Sequence, residues 1–256
     1  MKQLRVGLKV WSTNLQLADD IARGFDKGLF DYVELYVVSG SLHNTLEVWR
    51  SLGLKFIIHC PHMFNGFNLA DQTLRLSNQE KFAEARLFAD ALSVDTIIVH
   101  SGNGGPLQEA AEQMRLLSDG RICVENKPKL GHNGAVCLGA TPDEVKAIMD
   151  GAGINGFVLD FSHAVCAANV LGVDLMGLLR GFMSLKPRLM HLNDGPRDAV
   201  QDKHMNLGHG SFDLRAFVRM IPDGGSVSLE TPNQPGSGLR DFYADRRFLS
   251  GLLEEG

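Results

Sequence analysis

Apolar residues in this chain fall into two alternating patterns. Short, nearly continuous runs such as FIIH (56–59), TIIVH (96–100), RICVE (121–125), FVLD (157–160), RLMH (188–191) and VSLE (227–230) are the pattern of strands buried on both faces of a parallel sheet. Between them, apolar residues recur three and four apart, the mark of amphipathic helices. The strands predicted are Arg5–Val10, Asp31–Val38, Lys55–His59, Thr96–His100, Arg121–Glu125, Gly156–Asp160, Arg188–Leu192 and Ser226–Glu230. The helices predicted are Leu15–Leu29, Leu42–Leu52, Ser77–Leu92, Leu107–Leu117, one opening at Thr141-Pro-Asp-Glu, Leu171–Leu185, Phe212–Ile221 and Asp241–Leu253. Thr141 is placed to cap its helix and Pro142 to occupy the first turn. The glycine-bearing stretch Asn126–Ala140 is expected to act as a lid or substrate segment.

Strands and helices thus alternate through eight β/α units. An α/β barrel uses about 250 residues as one domain, and the chain has 256. The expectation is an α/β fold, a (β/α)8 TIM barrel forming a single domain over 1–256, with its site at the C-terminal face of the strands.

Composition changes this picture little. The chain is 44% hydrophobic with a net charge of −5, which on its own argues weakly against a nucleic-acid partner. Cys60, Cys123, Cys137 and Cys166 form no CxxC pair and read as reduced thiols in a cytoplasmic protein. The N-terminus has no signal-peptide pattern, and no apolar run approaches the length of a membrane span. No membrane association is expected. The sequence does not give the oligomeric state.

The chemistry lies where the strands end. Six apolar runs close on His59, His100, Glu125, Asp160, His191 and Glu230. In a parallel barrel these ends meet on one face, and all six side chains are lone-pair donors of the kind zinc and similar cations take. Six exceed the three or four protein ligands usual for one zinc, so a multinuclear site is expected. His163, Asp202 and His204 lie just beyond the tips, and Asp-x-His points both side chains the same way in an extended segment. His62 and His209 neighbour the cluster as candidate substrate groups. His43 and His132 are expected in solvent, and Cys60 should face away from the cluster.

The segments HCPHMFN (59–65), IIVHSG (97–102), VEN (124–126), LDFSHA (159–164), MHLND (190–194), DKHMNLGHG (202–210) and LETPN (229–233) resemble the endonuclease IV family of the xylose isomerase-like barrels. The resemblance spans His59 to Asn233 and implies three zinc ions, with manganese or iron fitting some positions. His59, His100 and Glu125 would hold the first. Glu125, Asp160, His191 and Glu230 would hold the second, and His163, Asp202 and His204 the third. A hydroxide between the first two would be the nucleophile, with Glu125 and Glu230 as the catalytic carboxylates. The implied substrate is DNA, cut 5′ to an abasic or damaged site. Substrate contacts would come from His62, Phe64, Asn65, Asn126, Asp194, Arg197, Lys203 and His209, with Arg197 and Lys203 on phosphates and Met63-Phe64 stacking or wedging at the lesion.

The sequence also departs from that family. The segment after the second strand, VVSGSLHNT, has no Arg, where the family carries an Arg- and Gln-rich DNA-reading loop, and His62 replaces the family's tyrosine. A second reading therefore stays open. A sugar isomerase or epimerase of the same superfamily would use one divalent metal on Glu125, Asp160, His191 and Glu230, and act on a small sugar by proton transfer beside a carbonyl.

Overall fold

The computed structural model describes residues 2–132, 134–234 and 236–254. Its strands are β1 (Arg5–Trp11), β2 (Tyr32–Tyr36), β3 (Phe56–His59), β4 (Ile97–His100), β5 (Ile122–Glu125), β6 (Gly156–Asp160), β7 (Leu189–Leu192) and β8 (Ser226–Leu229). They pair in sequence order, all parallel, and β8 closes against β1. The helices are α1 (Ala18–Asp26), α2 (Leu42–Ser51), α3 (Arg75–Ala91), α4 (Leu107–Leu117), α5 (Pro142–Ala152), α6 (Phe161–Leu171), α7 (Leu175–Ser184), α8 (Leu214–Met220) and α9 (Arg240–Glu254). The fold is the expected TIM barrel, with every expected strand in place.

Two helical expectations change. The helix expected at Leu15–Leu29 opens as a 3₁₀ turn over Leu15–Leu17 before α1. The helix expected at Leu171–Leu185 is α7, beginning at Leu175, and a further helix not expected from the sequence, α6, precedes it over Phe161–Leu171. Asp160 caps α6 by accepting from the His163 amide at 2.7 Å. Gly172, in the left-handed region at φ 66°, ends α6, and Asp174 caps α7. Every residue from Phe161 to Ala168 is buried. A helix without a polar face shows no amphipathic period, which hides α6 in the sequence.

Strand alternation sets the position of the site. Outward residues such as Leu8, Leu35, Val99, Leu159 and Leu192 join the main core with helix residues Phe82, Ile148, Phe182 and Phe242. Inward residues Ile98, Cys123, Val158 and Leu189 form a separate plug inside the barrel, with Ile57 packed against it. Tyr32 also fills the interior: a Cβ on Gly7 would sit 2.2 Å from its ring. Side chains on a strand repeat every second residue, so the next inward position above the plug is the strand tip. His100 is in register with Glu125, and Asp160 with His191.

The described residues of the stretch 126–140 are bonded to one another and to the loop after β4, and Pro128, Leu130, Gly131, His132 and Cys137 line the cavity over the strand tips. Lys127 N donates to Gly139 O, Cys137 N to Lys129 O, Gly104 N to Val136 O and Leu138 N to Gly102 O. The four cysteines are buried and unpaired. Among the described residues no helix is long and apolar enough to cross a membrane.

Candidate metal centre

The strand tips bring the expected ligands together. Donor atoms lie within 4.8 Å of one another in the sets His59, His100, Glu125; Glu125, Asp160, His191; Asp160, His163, Asp202; and Glu34, His191, Glu230. His204 belongs to none of these sets, yet its Nε2 lies 2.8 Å from Asp202 Oδ2 and 3.2 Å from Glu230 Oε2. Its φ of 45° is an uncommon backbone for a histidine. All nine expected ligands therefore meet on one face.

The rings are held in ligating orientations. His59 Nδ1 lies 2.7 Å from Cys60 O, leaving Nε2 towards Glu125. His163 Nδ1 lies 2.9 Å from Asn126 O, and its Nε2 faces Asp202. A histidine whose far nitrogen is anchored on a carbonyl presents the other nitrogen's lone pair. Asp160 Oδ2 is buried without a hydrogen-bond partner, and the polar neighbours of Asp202 Oδ2 and His191 Nδ1 are other residues of this cluster, His204 at 2.8 Å and Glu230 at 2.7 Å.

Charge argues the same way. Glu34, Glu125, Asp160, Asp202 and Glu230 are all buried, and buried carboxylates in such number call for cations. Burial pushes the Asp160 carboxyl up to about 6 against the pull of His163, with Asp202, Glu230 and Glu125 adding to the rise. The donor set of imidazoles and carboxylates fits divalent metal ions.

Two contributors were not singled out as site residues by the sequence. Lys9 and Glu34 are register partners on β1 and β2 and face the same layer. Glu34 Oε2 is 3.0 Å from His191 Nε2, and Lys9 Nζ is 3.2 Å from Glu34 and bonded to Glu230. Burial alone would raise the Glu34 carboxyl, but His191 and Lys9 hold it down at about 2. The signal was present as a charge at an inward position of each strand, Lys9 in RVGLKV and Glu34 in YVELY.

A cavity of about 900 Å³ opens over this layer. His62 and Phe64 line it, as expected of substrate contacts. His62 Nδ1 is buried without a hydrogen-bond partner, and burial followed by the Lys127 charge lowers its imidazole to about 3. The other expected contacts lie elsewhere. Asp194 is buried, and its carboxylate accepts from the amides of Gly195, Gly208, Gly210 and Phe212, so it ties the loop after β7 instead of facing substrate. Asn126 braces β6, accepting from Asp160 N at 2.7 Å and donating to Asp160 O at 2.9 Å. Asn65 accepts from Tyr36 OH and is not on the cavity wall. Arg197, Lys203 and His209 are exposed on the outer part of the loop, away from the cavity lining. In their place the wall carries Trp11, Tyr36, Lys127 and His132. The rings of Trp11, Tyr36, His62, Phe64 and His132 run in sequence along the rim with successive centroids 5.2–5.7 Å apart.

Comparison with known proteins places the fold. A protein named "Probable endonuclease 4" from Shouchella clausii is 25% identical over 182 residues, 64% of this chain, and the chain spans less than two thirds of that relative, 62%. The crystal structure of endonuclease IV from Thermus thermophilus superposes with a TM-score of 0.73 at 22% identity, over 98% of this chain and 100% of that one. A D-tagatose 3-epimerase-like protein superposes at 0.66 and 18% identity, over 99% and 97%. At such identities the two structures speak for the fold alone. The sequence model of one family, however, matches residues 28–250 and leaves only the first β/α unit and the last few residues outside, and the chain belongs to the xylose isomerase-like TIM barrel family.

Proposed function

We propose that this protein is a metal-dependent phosphodiesterase of the endonuclease IV type, hydrolysing the phosphodiester 5′ to an abasic site in DNA. The observation that carries the reading is the convergence of nine donors, including His163, Asp202 and His204. A one-metal isomerase has no use for those three. His59, His100 and Glu125 would hold one ion, Glu125, Asp160, His191 and Glu230 a second, and His163, Asp202 and His204 a third. Such ions, zinc by the donor set, lower the pKa of water and stabilise charge on the attacking and leaving oxygens of a phosphoryl displacement.

The protein's own part is to orient and enclose. Cys60 O and Asn126 O fix the rings of His59 and His163, and Glu34 fixes that of His191. Glu125, Asp202 and Glu230 line the floor of the cavity, and Phe64 and Trp11 stand exposed at the mouth, where a base or sugar face can stack.

The test is cleavage of a labelled duplex containing one abasic site by zinc-loaded protein, with the intact duplex alongside. Incision confined to the 5′ side of the lesion is expected, and His204→Ala should lower it on the order of 100-fold, since a metal supplies several kcal/mol at the transition state. Undiminished cleavage by His204→Ala would falsify this assignment. One feature favours a second reading, a sugar isomerase or epimerase: the cavity is the size of a small-molecule site. Metal content separates the two readings, near three ions per chain for the first and near one for the second.

A further inference from the structure

Lys127 follows the tip of β5 by two residues, and its backbone is pinned by the bond from its amide to Gly139 O at 3.0 Å. The residue is only 6% exposed, yet it lines the cavity. Its Nζ lies 3.5 Å from His163 Nε2. Lys9, the other lysine of this wall, is paired with Glu34 and Glu230. Lys127 makes no ion pair with any carboxylate among the described residues; its side-chain ammonium has a polar neighbour in His163.

A buried ammonium without an anion is costly. It offers three donors and no acceptor, so the partner that would satisfy it carries negative charge. On the same wall, His62 Nδ1 and His100 Nδ1 are buried without partners, and Lys127 is near enough to act on both rings electrostatically. The polar surface around Lys127 is therefore turned towards something that enters the cavity. A phosphate oxygen matches it, because lysine binds phosphate as a compact point charge through charge-assisted hydrogen bonds.

We propose that Lys127 is a substrate-binding residue that holds a non-bridging oxygen of the substrate's phosphate against the wall formed by His62, His100 and His163. This rests on the phosphodiesterase reading and adds the residue that grips the anion. It also gives this chain a phosphate contact within the cavity, where Arg197 and Lys203 lie outside it.

The competing role for Lys127 is to balance the buried carboxylates and so support the metal centre. Metal-loaded wild type, Lys127→Met and Lys127→Arg are compared in three measurements: metal ions per chain, calorimetric binding of inorganic phosphate, and KM and kcat on the abasic duplex. The expected result is unchanged metal content, phosphate affinity about tenfold weaker in Lys127→Met, substantial recovery in Lys127→Arg, and a rise in KM larger than the fall in kcat. Unchanged phosphate affinity in Lys127→Met overturns the proposal, as does loss of metal in that variant or absence of phosphate binding by wild type. If wild type binds phosphate in a Lys127-dependent way but leaves the abasic duplex intact, the phosphodiesterase reading fails and the anion subsite stands.

Discussion

Glu34 lies two residues short of the end of β2, yet it reaches His191, a candidate metal ligand at the tip of β7. Its Oε2 is 3.0 Å from His191 Nε2, so His191 Nδ1 is turned towards Glu230, Glu125 and Asp160, at 2.7, 3.5 and 3.9 Å. A carboxylate behind a ligating imidazole fixes the ring and raises its basicity, and removing such a partner costs roughly 10–100-fold in metal affinity. Glu34→Gln should therefore weaken zinc binding by roughly tenfold in a chelator competition, and Glu34→Ala by more. Equal affinity in all three proteins would show that His191 is oriented by its other neighbours. Residues at this scale were legible in the sequence where chemistry coincided with a strand end. His59, His100, Glu125 and Asp160 close runs whose boundaries the apolar pattern marks. Glu34 and Lys9 sit inside their strands, where a single charge among apolar residues reads equally well as an edge or a boundary. Only the closed barrel, by pairing β1 with β2 and bringing β8 round to β1, puts them beside Glu230.

At the scale of elements, the loop after β7 shows how one buried acid organises a functional segment. Asp194 accepts from the amides of Gly195, Gly208, Gly210 and Phe212 at 2.8, 2.9, 3.0 and 3.2 Å, and its backbone pairs with Met205. A Cβ on Gly210 would lie 2.3 Å from Asp194 Oδ1, so the close approach needs glycine. Asp194→Ala leaves these four amides without their acceptor, and the buried one, on Gly195, costs about 1–3 kcal/mol when left unpaired, while those of Gly208, Gly210 and Phe212 are accessible enough to turn to water. The expected loss is about 1–3 kcal/mol in denaturant unfolding, with reduced metal content because Asp202 and His204 ride on the same loop. A variant with wild-type stability would show that water or neighbouring groups replace the carboxylate. The expectation of a substrate contact at Asp194 followed from its place in MHLND, and nothing local distinguishes an acid that points into a cavity from one that collects amides from Gly195 to Phe212. The same limit hid α6, whose buried surface leaves no periodicity to read, whereas α5 announced itself through Thr141, which accepts from Glu144 N, and through Pro142.

For the whole molecule, the question is how a chain of net charge −5, without an Arg-rich loop, would hold a nucleic acid. The rim supplies an answer in aromatic surface. Trp11 and Phe64 are 56% and 55% exposed, and the buried ring of Tyr36 and the ring of His62 pack in a chain between them. Bases of an unpaired strand stack on such surfaces for about 1–3 kcal/mol each, whatever their sequence. A duplex keeps its bases stacked on one another and gains less. The protein's two tryptophans make this measurable: Trp49 is fully buried and bonded to Ser12 O, so a ligand at the mouth changes only the emission of Trp11. A single-stranded oligonucleotide carrying one abasic site should quench tryptophan fluorescence on titration and bind at least as tightly as the matching duplex. Trp11→Leu should remove the quench and raise KM about tenfold while leaving metal content intact, the loss expected for one stacked base. Quenching by monosaccharides but not by oligonucleotides would reassign the rim to a sugar face and, with it, shift the whole site towards the isomerase or epimerase reading.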